Sequence, residues 1–317
     1  MIFSQFLLKL NLLMIRIGYP CINRTLKCRP DKTFRLSSFS KSLFIEKVEN
    51  NLKCLLEILD FNFKNQIYFF RISSDTIPFA SHPVNRIKWE LIFKDILTEI
   101  GKKIKEYNIR VGMHPDQFVV LNSPDNEIVK RSIKELLYHL KLLESLDTKR
   151  DAKIQIHIGG AYGDKKSAIE RFIKNYNKLP SSLKERLVIE NDERLYTLKD
   201  CLYLSERLGI PIVADYFHYR LNNCGEMFGE ILQDVIKTWR PEDGPPIIDY
   251  SSQKGLTKLG RHTQRINLKN FAIFLEEIIK IDSDFDIMLE IKDKEVSAII
   301  AINFLKRKGL WKDPVSI

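Results

Sequence analysis

The sequence predicts one (β/α)8 barrel, the TIM-barrel architecture of the α/β class. Short, nearly continuous apolar segments alternate with longer amphipathic segments, and eight such pairs follow one another along the chain. The length agrees, because 317 residues exceed the ~250 residues that such a barrel typically needs. The sequence contains no low-complexity linker, so we expect a single domain over residues 14–317.

The apolar segments have the composition of parallel strands that are covered by helices. A typical example is KIQIHI at residues 153–158. The predicted strands cover residues 14–18, 66–72, 109–113, 153–158, 187–191, 211–215, 246–250 and 286–291.

The segments between the strands are rich in Lys and Glu and carry apolar residues at helical spacing. One such stripe, which we interpret as core, contains Ile133, Leu136, Leu137, Leu140 and Leu143. The predicted helices cover residues 41–59, 87–107, 126–146, 164–177, 197–207, 227–239, 268–280 and 293–307.

Residues 1–13 form an apolar segment before the first predicted strand. The segment contains Lys9, lacks a small-residue cleavage site and is too short to span a membrane. We therefore interpret it as neither a secretory signal nor a membrane anchor. Met14 is a second candidate start, in which case residues 1–13 are an upstream extension.

The composition is that of a folded globular protein with a basic surface. Hydrophobic residues make up 44% and charged residues 29% of the chain, which excludes a disordered protein. The formal net charge of +10 favours a polyanionic partner such as nucleic acid, through attraction and counterion release. A generally Lys-rich proteome would give the same excess, so charge alone leaves the partner open.

The cysteine pattern favours a cytoplasmic protein. The number of cysteines is odd and no CxxC pair occurs, so we expect reduced thiols, not a disulfide framework or a zinc knuckle. The cysteines are Cys21, Cys28, Cys54, Cys201 and Cys224.

Polar side chains with metal-ligand chemistry cluster at the ends of the predicted strands. The carboxyl ends of barrel strands converge on one face, where active sites of this fold lie. Five of the six histidines fall there, and only His139 lies inside a predicted helix, where we interpret it as structural. The residues at strand ends are His82, His114, His157, Glu190, Asp215, His218, Asp249, His262 and Glu290.

Imidazole and carboxylate ligands without cysteine suit Zn²⁺ or Mn²⁺. Several ligands from different strands can hold two or three ions, and such a cluster clamps a phosphate, activates water and stabilises a leaving oxygen. We predict that Glu190, Asp215 and Glu290 are the catalytic carboxylates. Among them, Glu190 could bridge two ions. A lone Asp at a strand end is also a common helix N-cap, and whether His82 contacts an ion directly stays open.

In their order and position these residues resemble the UV damage endonuclease family. The resemblance spans residues 14 to 311. The segments that carry it are RIGY at 16–19, RISSD at 71–75, SHP at 81–83, MHPDQF at 113–118, HIGG at 157–160, END at 190–192, DYFH at 215–218, DYSS at 249–252, RH at 261–262 and LE at 289–290.

The resemblance implies a barrel related to endonuclease IV and xylose isomerase. It implies incision of duplex DNA immediately 5′ to cyclobutane pyrimidine dimers, 6-4 photoproducts and abasic sites. It also implies up to three divalent ions, with Mn²⁺ as the expected preference and Zn²⁺, Co²⁺ and Mg²⁺ as alternatives. Damaged double-stranded DNA is then the partner of a monomeric, cytoplasmic enzyme that works at the nucleoid.

The resemblance also implies roles for individual residues. His114 and His157 with Glu190 would hold one ion; Glu190, Asp215, Asp249 and Glu290 would hold a second; His218 and His262 would hold a third. Gln117 and Phe118 match a pair that probes the DNA opposite the lesion, and Tyr19 and His82 match further lesion-site residues. By itself Phe118 favours a core position, and only the resemblance makes it a DNA contact.

One segment departs from the family pattern. Some members carry a modified lysine near strand seven in a Lys-x-His pattern at the metal cluster. Here the segment is Ile247-Ile248-Asp249, so no lysine is available for modification and Asp249 replaces the histidine. The metal preference is therefore open at this position.

Two other functions remain as alternatives. A sugar isomerase or related metal enzyme can use the same barrel, because fold does not fix function. A nucleic-acid-binding protein with a decayed active site would share the basic charge. The basic charge and Gln117-Phe118 at a loop tip argue against the first, and the nearly complete ligand set argues against the second.

Overall fold

The computed structural model describes residues 13–253 and 260–314. Eight parallel strands close into one barrel in chain order, so the predicted fold is confirmed. The predicted extension at residues 1–13 lies, apart from Leu13, outside the described residues. The strands are β1 (Ile15–Cys21), β2 (Phe69–Ile72), β3 (Arg110–Met113), β4 (Lys153–His157), β5 (Leu187–Glu190), β6 (Ile212–Asp215), β7 (Ile247–Tyr250) and β8 (Phe285–Leu289).

Helices surround the barrel, and each predicted helix has a counterpart. The predicted helix 87–107 is divided at Phe93, and two short helices occur that the sequence did not indicate. The helices are α1 (Lys41–Lys64), α2 (Trp89–Ile92), α3 (Lys94–Glu106), α4 (Asn126–Ser145), α5 (Lys165–Asn177), α6 (Ser181–Lys184), α7 (Leu198–Leu208), α8 (Tyr216–Leu221), α9 (Phe228–Ile236), α10 (Leu268–Ile278) and α11 (Glu295–Arg307). Within the described part of the chain, no helix has the length and apolarity needed to cross a membrane.

Local sequence signals set the helix ends. The side chain of Thr197 accepts a hydrogen bond from the Asp200 amide, and the Asp200 side chain in turn accepts one from the Thr197 amide, so the two form a capping box at the start of α7. Gly209 ends the same helix at φ 64°, a backbone conformation that favours glycine. The helix therefore stops directly before β6 begins.

Side chains inside the barrel form three layers, because every second residue of a strand points inward. The lower polar layer, at the amino ends of the strands, contains Arg16, Arg110, Lys153 and Asp286; Asp286 accepts from both arginines at 2.6 Å. Above it lies an apolar layer, separate from the main core, which consists of Phe69, Val188, Val213, Ile247 and Met288; Trp239, from the segment between α9 and β7, packs in the same cluster. The upper polar layer holds the residues at the carboxyl ends.

One prediction about cysteine is wrong. Cys28, in the loop after β1, and Cys54, on α1, form a disulfide, while Cys21, Cys201 and Cys224 are free thiols. The fold brings the two Cα atoms to 5.6 Å, a separation that suits a disulfide. That distance depends on how the loop packs on the helix, which residue spacing does not reveal.

Candidate metal centre

The upper polar layer brings together ligand-type side chains from six consecutive strands. His157, Glu190, Asp215 and Asp249 lie at the carboxyl ends of β4 to β7, His114 follows β3 and Glu290 follows β8. His157 is in register with Glu190, and Asp215 is in register with Asp249. The parallel pairing therefore holds these side chains at one height in the barrel.

A first group of ligands consists of His114, His157 and Glu190. Their ligand atoms all lie within 4.8 Å of one another. His157 Nδ1 is 2.8 Å from Glu190 Oε1, and His114 Nε2 is 3.5 Å from Glu190 Oε2. This is the combination that the resemblance assigned to one ion.

A second group consists of Asp215, Asp249 and Glu290, whose carboxylate oxygens also lie within 4.8 Å of one another. Asp215 and Asp249 are fully buried. Such a set of carboxylates is unfavourable without a compensating cation, because like charges repel and burial removes hydration.

Arg71, on β2, supplies a compensating charge that the sequence analysis did not assign. Its Nη1 donates to Glu290 Oε1 at 2.5 Å, and its Nη2 lies 2.9 Å from each oxygen of Asp249. Nη2 also donates to Gln155 Oε1 at 2.8 Å, while Gln155 Nε2 donates to Asp249. Asp249 is therefore held by Arg71 and Gln155, and an ion would compete with them for its oxygens.

The electrostatics of the two groups differ. Burial raises the pKa of Asp249 to about 6 despite the opposing effect of Arg71. Burial also acts on Glu290, but there Arg71 outweighs it and lowers the pKa to about 2. For Asp215, burial and the neighbouring carboxylates raise the pKa well above its usual value, against the effect of His218.

The histidines respond to the same carboxylates. Burial would lower the pKa of His157, but Glu190 outweighs it and raises that pKa to about 9. His218 behaves alike: burial lowers its pKa and Asp215 raises it more strongly, also to about 9. Glu190, although buried, has a pKa well below its usual value because His157 and His114 face it.

His218 and His262, which the resemblance assigned to a third ion, do not share a ligand group within the described residues. His218 Nδ1 hydrogen-bonds to the Asn191 carbonyl at 3.0 Å, and its Nε2 lies 3.9 Å from Glu193. His262 Nε2 lies 3.9 Å from Glu290 Oε2. Both therefore border the two groups without forming a third.

The residues fit divalent cations. Four buried ligand atoms have no hydrogen-bond partner among the described residues: Glu190 Oε2, Asp215 Oδ2, His114 Nδ1 and His262 Nδ1. Buried polar atoms are normally hydrogen-bonded, so unpaired ones at one place indicate a missing partner. The donors are nitrogen and oxygen only, as Mn²⁺, Mg²⁺ or Zn²⁺ accept, and a cation would relieve the carboxylates of the second group.

Gln117 and Phe118 lie in the loop between β3 and α4, at the mouth of this centre. Both side chains are exposed, and Phe118 is 70% exposed, so it is not a core residue. A cleft of about 470 Å³ is lined by both and reaches His114, His157 and Glu290. The structure thus places the pair at the rim of the cleft that leads to the ligand groups.

Tyr19, which the resemblance assigned to the lesion site, has its side chain packed away from this mouth. The side chain is fully buried; its hydroxyl donates to Asn62 on α1 at 2.8 Å and accepts from Asn23 at 3.0 Å. Strand alternation explains this, because Arg16 points into the barrel and Tyr19, an odd number of residues away, points to the helices.

The two remaining histidines lie outside the ligand groups. His82 is exposed in the loop after β2 and shares with Phe118 a second cavity of about 530 Å³. His139 is buried in α4, where burial lowers its pKa to about 4. In that neutral form Nδ1 donates to the Glu135 carbonyl, and Nε2 accepts from Ser74 at 2.9 Å.

Sequence reasoning missed Arg71, Gln155 and Lys294, all of which border the centre. A signal existed for two of them. Gln155 is two residues before His157, and Arg71 is two residues after Phe69, so alternation places both inside the barrel. Lys294 lies in a loop, where no periodicity applies.

Comparisons with known proteins support the family resemblance that the sequence motifs indicate. A family model described as UV-endonuclease UvdE matches residues 15–308. A UV DNA damage endonuclease of Clostridium perfringens (strain 13 / Type A) is 45% identical over 297 residues, which is 92% of this chain and 71% of that protein. The crystal structure of SacUVDE matches with a TM-score of 0.88 at 46% identity and covers 93% of this chain and 99% of that chain.

A more distant match shows the fold alone. Endonuclease IV from Thermus thermophilus has a TM-score of 0.59 at 13% identity over 92% of this chain and 99% of that chain. The match to the family model and the high identity of the Clostridium relative confirm the resemblance seen in the sequence motifs. The chain belongs to the UV-endonuclease UvdE family.

Proposed function

We propose that this protein incises double-stranded DNA immediately 5′ to UV photoproducts, both cyclobutane pyrimidine dimers and 6-4 photoproducts, and at abasic sites. The observation that carries the proposal is the upper polar layer, in which two ligand groups meet at the mouth of the barrel of a UvdE-family chain. We propose that the protein acts as a monomer, since one chain supplies every residue of both groups.

His114, His157 and Glu190 would hold one divalent ion, and Asp215, Asp249 and Glu290 a second, with Glu190 near both. Divalent ions in such a site polarise a phosphoryl oxygen, lower the pKa of water and stabilise the leaving oxygen. We propose Mn²⁺ as the preferred ion. The chain itself orients the ligands: Gln155 and Arg71 fix Asp249, and the Asn191 carbonyl fixes His218.

Gln117 and Phe118 would recognise the lesion. An exposed aromatic ring beside an amide can replace lost stacking and pairing when damaged nucleotides leave the helix. UV dimers stack and pair weakly, so extruding them costs less free energy than extruding intact bases. The pair is separated from His114 by two residues only, so insertion into the duplex would be coupled to placement of the backbone at the ligand groups.

The test is incision of an end-labelled duplex that contains one cyclobutane dimer, with Mn²⁺ present. The wild-type protein should give one product that ends immediately 5′ to the dimer. Glu190→Gln should lose bound metal and incision together, because it removes a charge at the first ligand group. The matched control is Glu206→Gln, an exposed carboxylate on α7, which should keep both.

Two outcomes would contradict the proposal. Full metal content and full incision by Glu190→Gln would exclude Glu190 as a ligand. A wild-type protein that binds Mn²⁺ and isomerises a ketose, but does not cut the dimer duplex, would favour a sugar isomerase.

A further inference from the structure

Lys294 lies in the cleft at the barrel mouth, where no described residue forms a hydrogen bond with its charge. It follows Glu290 by four residues and lines the same cleft as His114, Gln117 and Glu290. The side chain is partly buried, and in the described part of the chain its ammonium makes no hydrogen bond or ion pair. A partly desolvated lysine without a carboxylate in contact is unusual, because burial penalises an unpaired charge.

The backbone of Lys294 is also unfavourable for lysine. Its φ is 56° and its ψ is −117°, a combination that favours glycine at the first central position of a tight turn. Cys21, which lines the same cleft, has φ 71°, again without being glycine. Backbone strain of this kind clusters at active sites and ligand-binding positions.

The surroundings of Lys294 suit an anion. Burial lowers the pKa of its ammonium, and Arg24 and Arg71 add to that lowering, while Cys21 and Glu290 oppose it. The Arg24 side chain donates to the Lys292 carbonyl at 2.6 Å, so a second cation is held beside the same loop. A phosphate entering the cleft would supply the missing counter-charge.

We propose that Lys294 binds a non-bridging oxygen of the DNA phosphate that enters the cleft between Gln117-Phe118 and the ligand groups. The inference rests on the proposed function, because it takes the strand to be incised as the ligand. Lys294 would position the backbone by one charge-assisted hydrogen bond, in the manner of lysines that bind phosphate as point charges.

The first experiment measures equilibrium binding of the full-length protein to a dimer-containing duplex in EDTA, where incision cannot occur. Lys294→Gln should weaken binding roughly ten- to a hundredfold, the range of one hydrogen bond to a charged group. The slope of log affinity against log salt should become shallower by about 0.9. The matched control, Lys280→Gln, removes an exposed lysine before β8 at the other end of the barrel and should change neither quantity.

The second experiment identifies the phosphate. Uncharged methylphosphonate is placed at one linkage at a time around the dimer, and binding is measured for the wild type and for Lys294→Gln. One linkage should weaken wild-type binding and have no further effect on the variant. Equal losses in both proteins at every linkage would overturn the proposal.

A third variant separates function from folding. Lys294→Gly should keep or raise the melting temperature, because glycine relieves the backbone strain, while DNA affinity falls as in Lys294→Gln. Lys294→Gly with wild-type affinity would overturn the proposal. Failure of the proposed function would look different, since the wild type would then not cut the dimer duplex in Mn²⁺ whatever the binding cycle gives.

Discussion

Replacing Arg71 with Met should destabilise the metal-free protein, and divalent ions should restore the lost stability. Arg71 is 3% exposed and contacts the buried carboxylate of Asp249, the partly buried carboxylate of Glu290 and the Gln155 side chain. Removing one partner of a buried ion pair typically costs about 3–5 kcal/mol, because the other charge stays buried and unpaired.

Protonation of Asp249 limits the loss of stability in Arg71→Met. The pKa of Asp249 is already about 6 with Arg71 present, so without the guanidinium Asp249 would bind a proton at neutral pH. Glu290 is held ionised mainly by Arg71 and bears most of the loss. We therefore expect about 3 kcal/mol at pH 7, which for a domain of this size lowers the melting temperature by about 4–5 °C.

The assay is thermal unfolding in EDTA and in Mn²⁺. An ion between Asp215, Asp249 and Glu290 would replace the lost positive charge, and at a hundred times its dissociation constant it restores about 2.7 kcal/mol. The matched control is Arg16→Met in the lower polar layer, where Asp286 stays paired with Arg110 at 2.6 Å. Mn²⁺ should raise the melting temperature of Arg71→Met more than that of Arg16→Met.

Equal stabilisation of both variants by Mn²⁺ would refute the reasoning, since the ion would then not act at the carboxylates that Arg71 contacts. An unchanged melting temperature for Arg71→Met in EDTA would refute it more directly, because the buried carboxylates would not need the guanidinium.

The other predictions concern pH, lesion recognition and salt. The pKa values of His157 and His218 are both raised to about 9, so their contribution to metal-free stability is complete below pH ~6.5 and is lost as pH rises through 9. A metal ion binds neutral imidazole, so the affinity for Mn²⁺ should rise between pH 6.5 and 8.5, by up to about tenfold per pH unit for each histidine that binds the ion. A Mn²⁺ affinity that does not change with pH would contradict this. Replacing both Gln117 and Phe118 with Ala should leave the metal content intact and weaken binding to a dimer-containing duplex by about 1–3 kcal/mol, because base stacking on Phe118 is lost. The control is Leu91→Ala, which removes another exposed apolar side chain (64% exposed). Unchanged binding by the double variant would show that other residues contact the lesion. Affinity for damaged duplex should fall with salt at a slope of roughly −0.9 per neutralised phosphate, and a salt-independent affinity would argue for a small-molecule substrate.

Much of the centre could be predicted because barrel geometry converts sequence order into proximity. A ligand-type residue at the end of one strand tells little, but parallel strands in register bring His157 next to Glu190 and Asp215 next to Asp249. The prediction needed only the strand ends, which apolar segments mark to within a few residues.

Other features depend on information that residue type does not carry. The burial of Tyr19 could not be read from its motif, because a motif fixes position along the strand but not which face the side chain takes. Arg71 was not assigned because metal ligands are normally neutral or negatively charged, so an arginine among them was not expected. The Cys28–Cys54 disulfide needs the packing of a loop on a helix, and the division of the predicted helix 87–107 at Phe93 follows from local backbone geometry that a continuous apolar stripe conceals.

The apolar layer beneath the centre separates it from the lower polar layer of the barrel. Phe69, Val188, Val213, Ile247 and Met288 fill the interior below the ligands, and a hydrated ion would have to displace them to reach the opposite end. Ions would then enter and leave through the opening that a bound DNA duplex would cover. A DNA duplex bound over that opening would therefore block ion exchange until the product dissociates. The metal content of the protein during one cutting cycle would thus be fixed at the moment of DNA binding.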